Sequence, residues 1–157
     1  MVNKILVPID GSKAADNALD YAVGLAKKYG DELLILNVVR TASSTAFHGV
    51  SIKDQLEAEL TEQSKQMIGK RINKVEKMGV KAEALIRHGI PDKEIVKAAK
   101  ERKDVELVVM GAYGKNFLER QILGSKTEGV LRKMPELNIP VLIVPESCRD
   151  ICRVNSK

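Results

Sequence analysis

The chain has 157 residues, which is enough for one domain with a sizeable hydrophobic core. Its 26 basic and 21 acidic residues are interleaved, and with three tyrosines, two phenylalanines and no tryptophan it lacks the basic surface with stacking aromatic side chains that is typical of nucleic-acid binding. The apolar runs are too short to span a bilayer, and the first residues enter a strand pattern without the features of a secretory signal. We therefore expect a cytoplasmic protein that binds neither membranes nor nucleic acid.

Five apolar runs of strand length alternate with four stretches whose apolar residues recur at helical spacing. We predict strands at 4–10, 33–39, 81–87, 105–110 and 139–145, and helices at 13–29, 53–78, 91–102 and 125–134. Ser12 is a suitable N-cap for the first helix, and Gly30 is a suitable C-cap. Because Pro8 cannot donate a ladder hydrogen bond, we expect the first strand to stop pairing near it.

The apolar stripes of the two longest helices predict which side chains face the core. In the first helix these are Ala15, Ala18, Leu19, Ala22, Val23, Ala26 and Tyr29, and in the second they are Leu56, Leu60, Met67, Ile68, Ile72, Val75 and Met78. The segment 40–51 between the second strand and the second helix is polar and aperiodic, and we predict a mobile loop there.

Two cysteines, Cys148 and Cys152, lie close to the carboxyl end. Two are too few for a disulfide framework or for a closed zinc site within one chain, so we expect reduced thiols. They fall in the polar segment 147–157, which we predict to be a tail that follows a single domain at 1–146.

Alternating strands and helices indicate an open α/β fold, in which a parallel sheet carries helices on both faces. In a doubly wound sheet of order 3-2-1-4-5 the winding reverses between strands one and four, and ligands bind beyond the carboxyl ends of the strands at that point. Asp10, directly after the first strand, would therefore face the turn at 111–114 after the fourth.

That turn belongs to a glycine motif in which Gly111 and Gly114 are followed, after nine intervening residues, by Gly124-Ser125. Glycines before a helix start let backbone amides approach an anion, so the motif indicates half of a nucleotide pocket. It is not a dinucleotide fingerprint, because no G-x-G-x-x-G follows the first strand. It is not a Walker A loop either, because the G-x-x-x-x-G-K order is absent around Lys126.

The chain resembles the nucleotide-binding members of the universal stress protein family, whose signature is G-x-x-G, nine residues, then G-[S/T]. The resemblance extends from the segment 5–12, Ile-Leu-Val-Pro-Ile-Asp-Gly-Ser, to the segment 140–144, Pro-Val-Leu-Ile-Val. It implies a five-stranded parallel fold of the adenine nucleotide alpha hydrolase-like type. It also implies ATP as the ligand, usually with Mg²⁺ or Mn²⁺ held mainly by the phosphates.

The resemblance also implies which residues contact the nucleotide. Pro8, Ile9 and Asp10 would line the adenosine side, with Asp10 near the ribose; the Val38 backbone would meet the adenine edge; Met110 and Gly111 would lie under the sugar and first phosphate; Gly114, Gly124, Ser125 and Lys126 would stand at the phosphates.

Plainer roles remain open for several of these residues. Asp10 could be only a turn residue, Gly111 and Gly114 only turn glycines, and Ser125 only an N-cap. Lys126 stands where the family usually has a small or apolar residue, and it could reach a phosphate or point into solvent.

Other polar residues near the motif are less informative. Tyr113 occupies a position where a basic or polar residue is commoner in the family. Lys115 and Arg120 could neutralise phosphate charge or be ordinary surface residues. We expect no catalytic role for His48 or His88, which fall in predicted loops without a partner.

For function, the first hypothesis is an ATP-binding protein that acts as a nucleotide-dependent switch or stress-response factor. We expect slow hydrolysis at most, because Asp10 is the only convincing base and is assigned to the sugar. The second hypothesis is a dimeric interaction module that does not need nucleotide, and the third is a transferase on the same fold. In the order 3-2-1-4-5 the strand at 141–144 is an apolar edge, and pairing of two such edges would give a homodimer.

Overall fold

The structure is a computed structural model, and it describes residues 2–41, 50–113 and 123–146. Within these ranges the elements along the chain are β1 (Lys4–Pro8), α1 (Lys13–Tyr29), β2 (Glu32–Arg40), α2 (Val50–Lys77), β3 (Ala82–Gly89), α3 (Pro91–Glu101), β4 (Val105–Gly111), α4 (Ser125–Arg132), α5 (Met134–Leu137) and β5 (Val141–Val144). The expectations for Cys148, Cys152, His48, Gly114, Lys115, Arg120 and most of the segment 40–51 concern residues outside these ranges.

All five strands are parallel and form one sheet in the order β3-β2-β1-β4-β5, as predicted. β1 is central, and its residues Ile5, Leu6 and Val7 are fully buried because helices cover both faces. The strand ends at Pro8, opposite Leu36 of β2, which is where the missing amide led us to expect it.

The two faces of the sheet carry separate hydrophobic clusters because successive strand residues point to opposite sides. One cluster joins Val7 and Ile35 to α1 and α2, through side chains such as Leu19 and Ile68. The other joins Leu6, Leu34 and Val108 to α3 and α4, through Ile95 and Val130. Both faces of the sheet at the β1–β4 junction are thus covered by packed helices.

Three of the side chains predicted to face the core are exposed instead: Tyr29 at 65%, Leu56 at 41% and Met78 at 38%. Tyr29 is the last residue of α1, and the ammonium of Lys28 lies 5.3 Å from its ring centroid. α2 has 28 residues and spans about 42 Å, whereas β2 has nine and spans about 30 Å. The helix is therefore longer than the sheet, and Leu56 near its start and Met78 directly after its last residue are left exposed.

Helix boundaries differ from the sequence prediction by more than one residue at the start of α2 and at the end of α4. α2 begins at Val50 and β2 runs to Arg40, so the predicted loop is shorter than expected. The last predicted helix is divided into α4 and α5, because Pro135 in the first turn of α5 cannot donate to a carbonyl of the preceding turn. The predicted caps are confirmed: Ser12 accepts a hydrogen bond from the amide of Ala15 at 3.2 Å, and Gly30 has φ 78°.

An ion-pair network joins the amino ends of β1, β3 and β4. Glu83 accepts from the ammonium of Lys4 at 2.6 Å and from the guanidinium of Arg102 at 2.8 Å, and Arg102 also pairs with Asp104 at 2.9 Å. The hydrogen bond from Arg102, helped by Lys4, lowers the pKa of Glu83 to about 2. This network lies at the end of the sheet away from the carboxyl ends of the strands. No helix in the described part of the chain is both long and apolar enough to cross a membrane.

Candidate functional site

A cleft of about 550 Å³ opens at the carboxyl ends of β1, β2 and β4. It contains every implied ligand residue that the structure describes; Gly114 lies outside the described ranges. The nine are Pro8, Ile9, Asp10, Val38, Met110, Gly111, Gly124, Ser125 and Lys126. The fold thus brings three distant parts of the sequence to one place.

Asp10 is held at the mouth of the cleft by the turn between β1 and α1. The amide of Ile9 still donates to the carbonyl of Leu36 at 2.8 Å, and Gly11 then turns the chain with φ 81°. The carboxylate of Asp10 accepts from the amide of Ser12 at 3.0 Å, while the Ser12 hydroxyl caps α1. Asp10 is therefore a turn residue, and its position is fixed by the start of α1.

The second oxygen of that carboxylate accepts from the ammonium of Lys126 at 2.5 Å. The side chains of Lys126 and Asp10 are 25% and 17% exposed, so the pair is largely withdrawn from water. Burial acts to raise the pKa of Asp10, but the hydrogen bond and charge of Lys126, with help from Ser12, lower it to about 2. The alternative that Lys126 points into solvent is wrong.

The amino end of α4 faces the same cleft. Gly124 is the N-cap and Ser125 the first helical residue, so the alternative that Ser125 is an N-cap is wrong. The amide of Gly124 donates to the carbonyl of Ala112 at 2.8 Å, which commits that amide within the protein. The first-turn amides begin at Ser125, and such amides have no acceptor within the helix and can bind an anion.

Gly111 has a packing role that the motif did not reveal. It is the buried last residue of β4 rather than a turn residue, so the alternative of a turn glycine is wrong for it. A Cβ there would lie 2.8 Å from the backbone carbon of Ala14 and 2.9 Å from its oxygen. Its carbonyl accepts from the buried hydroxyl of Thr127 at 2.9 Å. The missing side chain of Gly111 therefore lets α1 approach the end of β4, and its carbonyl connects α4 to the same point.

Sequence reasoning missed a buried polar pair in the wall of the cleft. The side-chain nitrogen Nδ2 of Asn37 donates to the backbone carbonyl of Ile9 at 2.7 Å, and the hydroxyl of Ser64 donates to the side-chain oxygen Oδ1 of Asn37 at 2.7 Å. Asn37 is the one polar residue in the predicted strand 33–39, which was the available signal. The contribution of α2 through Ser64 depends on tertiary packing and had no local signal.

Tyr113, which like Lys126 departs from the family pattern, lines the cleft and is hydrogen-bonded to the segment after β5. Its hydroxyl donates to the carboxylate of Glu146 at 2.6 Å. The side-chain amide of Asn17 donates to the Glu146 carbonyl at 2.5 Å. Glu146 therefore links α1, through Asn17, to Tyr113 after the end of β4.

The donors in the cleft do not resemble a protein-held metal site. Among its described lining residues Asp10 is the only acid, and it is paired with Lys126. No group of three or more histidine, cysteine, aspartate or glutamate side chains able to hold a metal ion occurs in the described ranges. His88 contacts Thr61 at 2.9 Å and does not line this cleft. Besides helix amides, the charged groups among the described lining residues are thus one carboxylate, Asp10, and two cations, Arg40 and Lys126.

Comparisons of the sequence and of the structure with known proteins match nearly the whole chain to one family. A family model described as "Universal stress protein family" matches residues 1–145. Universal stress protein YxiE of Bacillus subtilis is 38% identical over 152 residues, covering 92% of this chain and 99% of that protein. The structure of MJ0577, a universal stress protein of Methanocaldococcus jannaschii, aligns with a TM-score of 0.79 at 34% identity, covering 92% of this chain and 96% of that one. A universal stress protein solved in complex with cAMP shares the fold, with a TM-score of 0.67 at 22% identity over 92% of this chain and 98% of that one.

Proposed function

Because this chain belongs to the universal stress protein family, we propose that it binds an adenine nucleotide, ATP in the first place, in the cleft between β1 and β4. The observation that carries the proposal is the convergence of the implied residues on one cleft from three separate segments. A volume of about 550 Å³ is within the usual range for small-molecule sites.

The chemistry of the walls matches the parts of a nucleotide. Val38, at the end of β2, brings backbone donors and acceptors to an apolar slot that suits adenine. Asp10 is an acceptor fixed by Ser12, as a pair of ribose hydroxyls requires. The first turn of α4, beginning at Ser125, supplies amides and a partial positive charge for phosphates. The distant relative solved with cAMP shows that fold with an adenine nucleotide in that protein.

We place this activity in a cytoplasmic stress-response protein that senses nucleotide rather than consuming it. Hydrolysis needs a base that orients water, and the one carboxylate among the described lining residues is ion-paired with Lys126. Turnover of ATP is accordingly slow at most. Nucleotide occupancy, not catalysis, is then the signal that the protein provides.

The proposal includes a homodimer formed through β5. This strand pairs with β4 on one side and forms an edge of the sheet on the other. Its residues Val141, Leu142 and Ile143 are only partly buried. An apolar edge of this kind favours pairing with a second copy. Sedimentation velocity should give the mass of a dimer, and a monomer at micromolar concentration would reject this part.

The second candidate, an interaction module that does not use nucleotide, makes the opposite prediction for the purified protein. Acid release followed by chromatography should identify bound adenine nucleotide, and calorimetry on protein stripped of nucleotide should show ATP binding. A protein that carries no nucleotide and binds none favours the second candidate.

One substitution tests the phosphate end of the proposed site. Ser125→Pro removes one first-turn amide, yet proline is well accepted at the first helical position, and Gly124 before it has φ −68° and ψ 155°. We expect ATP affinity to fall about tenfold, as for a lost hydrogen bond to a charged group. The control variant Ser125→Ala keeps the backbone amide, so its ATP affinity should fall less than that of Ser125→Pro. Unchanged ATP affinity in Ser125→Pro would remove this helix from the site.

A further inference from the structure

The lysine of the cleft stands between the two groups that the proposed function assigns to different parts of the nucleotide. Lys126 is adjacent to Ser125 in the first turn of α4, yet its ammonium reaches Asp10 at 2.5 Å. We infer that Lys126 is a movable counter-ion: a nucleoside polyphosphate draws it from Asp10 to the phosphate oxygens, and it takes the place of a divalent cation. This inference rests on the proposed function.

Lys126 can move from Asp10 to a phosphate because both Lys126 and Asp10 have other hydrogen-bond partners available after the move. The lysine ammonium has three donors on a flexible four-carbon stem and can rotate between neighbouring acceptors. When it leaves, the Asp10 carboxylate retains the amide of Ser12 at 3.0 Å and gains the ribose hydroxyls that the proposed function assigns to it. No buried charge is therefore left without a hydrogen-bond donor, which is the usual penalty for breaking such a pair.

The direction of the exchange follows from charge. Asp10 carries one negative charge, whereas a triphosphate carries several, spread over oxygens that accept strong charge-assisted hydrogen bonds. The side chain of Lys126 is 25% exposed, so its attraction to a nearby phosphate is screened less than on an open surface. Each added phosphate should strengthen the attraction between the nucleotide and Lys126. Adenosine carries no phosphate, so Lys126 should stay paired with Asp10.

The same residues argue against a protein-held metal ion. Mg²⁺ in nucleotide sites is usually bound by one or two carboxylates together with the phosphates. Asp10, the only acid among the described lining residues, is engaged by Lys126. The described lining residues therefore offer a metal ion no carboxylate besides the ion-paired Asp10, and the ammonium of Lys126 can supply positive charge to the phosphates instead.

The test is a calorimetric comparison of adenosine, AMP, ADP and ATP, each with Mg²⁺ and with EDTA, on the full chain. In the wild type, affinity should rise with phosphate number, and the ATP Kd should change by less than about threefold when Mg²⁺ is replaced by EDTA. Lys126→Met, which keeps the stem and removes the charge, should lose about ten- to hundredfold in ATP affinity and less than about threefold in adenosine affinity. Lys97→Met is the matched control, because Lys97 is an exposed helical lysine outside the cleft.

The outcomes separate this inference from the proposed function. Wild-type ATP binding that is lost in EDTA overturns the inference even if Lys126→Met does not fold. A folded Lys126→Met variant with wild-type ATP affinity overturns it too. In both cases nucleotide binding itself stands. A wild type that binds neither adenosine nor ATP in either buffer overturns the proposed function, and the inference falls with it.

Discussion

Replacing Gly111 by alanine tests whether this motif glycine serves packing as well as ligand binding. The added Cβ would lie 2.8 Å from the carbonyl carbon of Ala14 and 2.9 Å from its oxygen. These are backbone atoms of α1, so no flexible side chain can move aside. Either α1 or the end of β4 must shift, and overpacking of this kind costs about 1–3 kcal/mol.

Gly69 provides a matched control for this substitution. It lies inside α2, and a Cβ added there meets no atom within 4 Å. Gly69→Ala should therefore stabilise the protein by about 0.5–1 kcal/mol through helix propensity. The two changes add the same methyl group and are expected to have opposite signs.

Urea unfolding followed by circular dichroism measures both effects as shifts in the midpoint concentration. For a chain of this size, 1 kcal/mol corresponds to about 2–4 °C in Tm, so thermal unfolding gives a second reading. If Gly111→Ala has the stability of the wild type but loses ATP binding, Gly111 serves the ligand alone and the packing argument is refuted.

Three further expectations concern stability. Ser64→Ala leaves the buried oxygen of Asn37 without the hydroxyl that donates to it, and should cost about 1–3 kcal/mol in urea unfolding; a value near zero would mean that the pair is not formed. The pKa of Glu83 is lowered to about 2, chiefly by Arg102, so ionised Glu83 contributes its full stabilisation above its unfolded-state pKa of 4.5, and this stabilisation is lost as the pH falls toward 2. Arg102→Gln should make the acid-induced loss of stability less steep. An equally steep loss in the variant would contradict this role of Arg102. Ser12→Ala should cost about 1 kcal/mol and Ser12→Gly only a few tenths, because Ser12 caps α1; equal losses would argue against a capping role.

The architecture was predictable because its signals are local and periodic. Apolar runs such as Leu33–Leu36 are long enough to specify buried strands, and the caps at Ser12 and Gly30 specify where α1 begins and ends. The strand order 3-2-1-4-5 was taken as a condition, under which Asp10 and the glycine motif meet where a doubly wound sheet reverses direction, and the structure has that order.

The details of the cleft were less predictable because they depend on distances between segments that are remote in sequence. Nothing near Lys126 indicates that it reaches Asp10, 116 positions earlier. The role of Gly111 depends on how closely α1 packs, and the pairing of Ser64 with Asn37 depends on the placement of α2. A periodic pattern specifies which face of a helix is buried, but not which side chain lies opposite.

The link through Glu146 sets a limit on how far the chain can be shortened. A version that ends at Val144 would keep all five strands, yet it would release the hydroxyl of Tyr113 and the side-chain amide of Asn17. The smallest fragment worth producing therefore ends beyond the last strand, and fusion partners at this terminus belong after residue 146, not directly on the sheet.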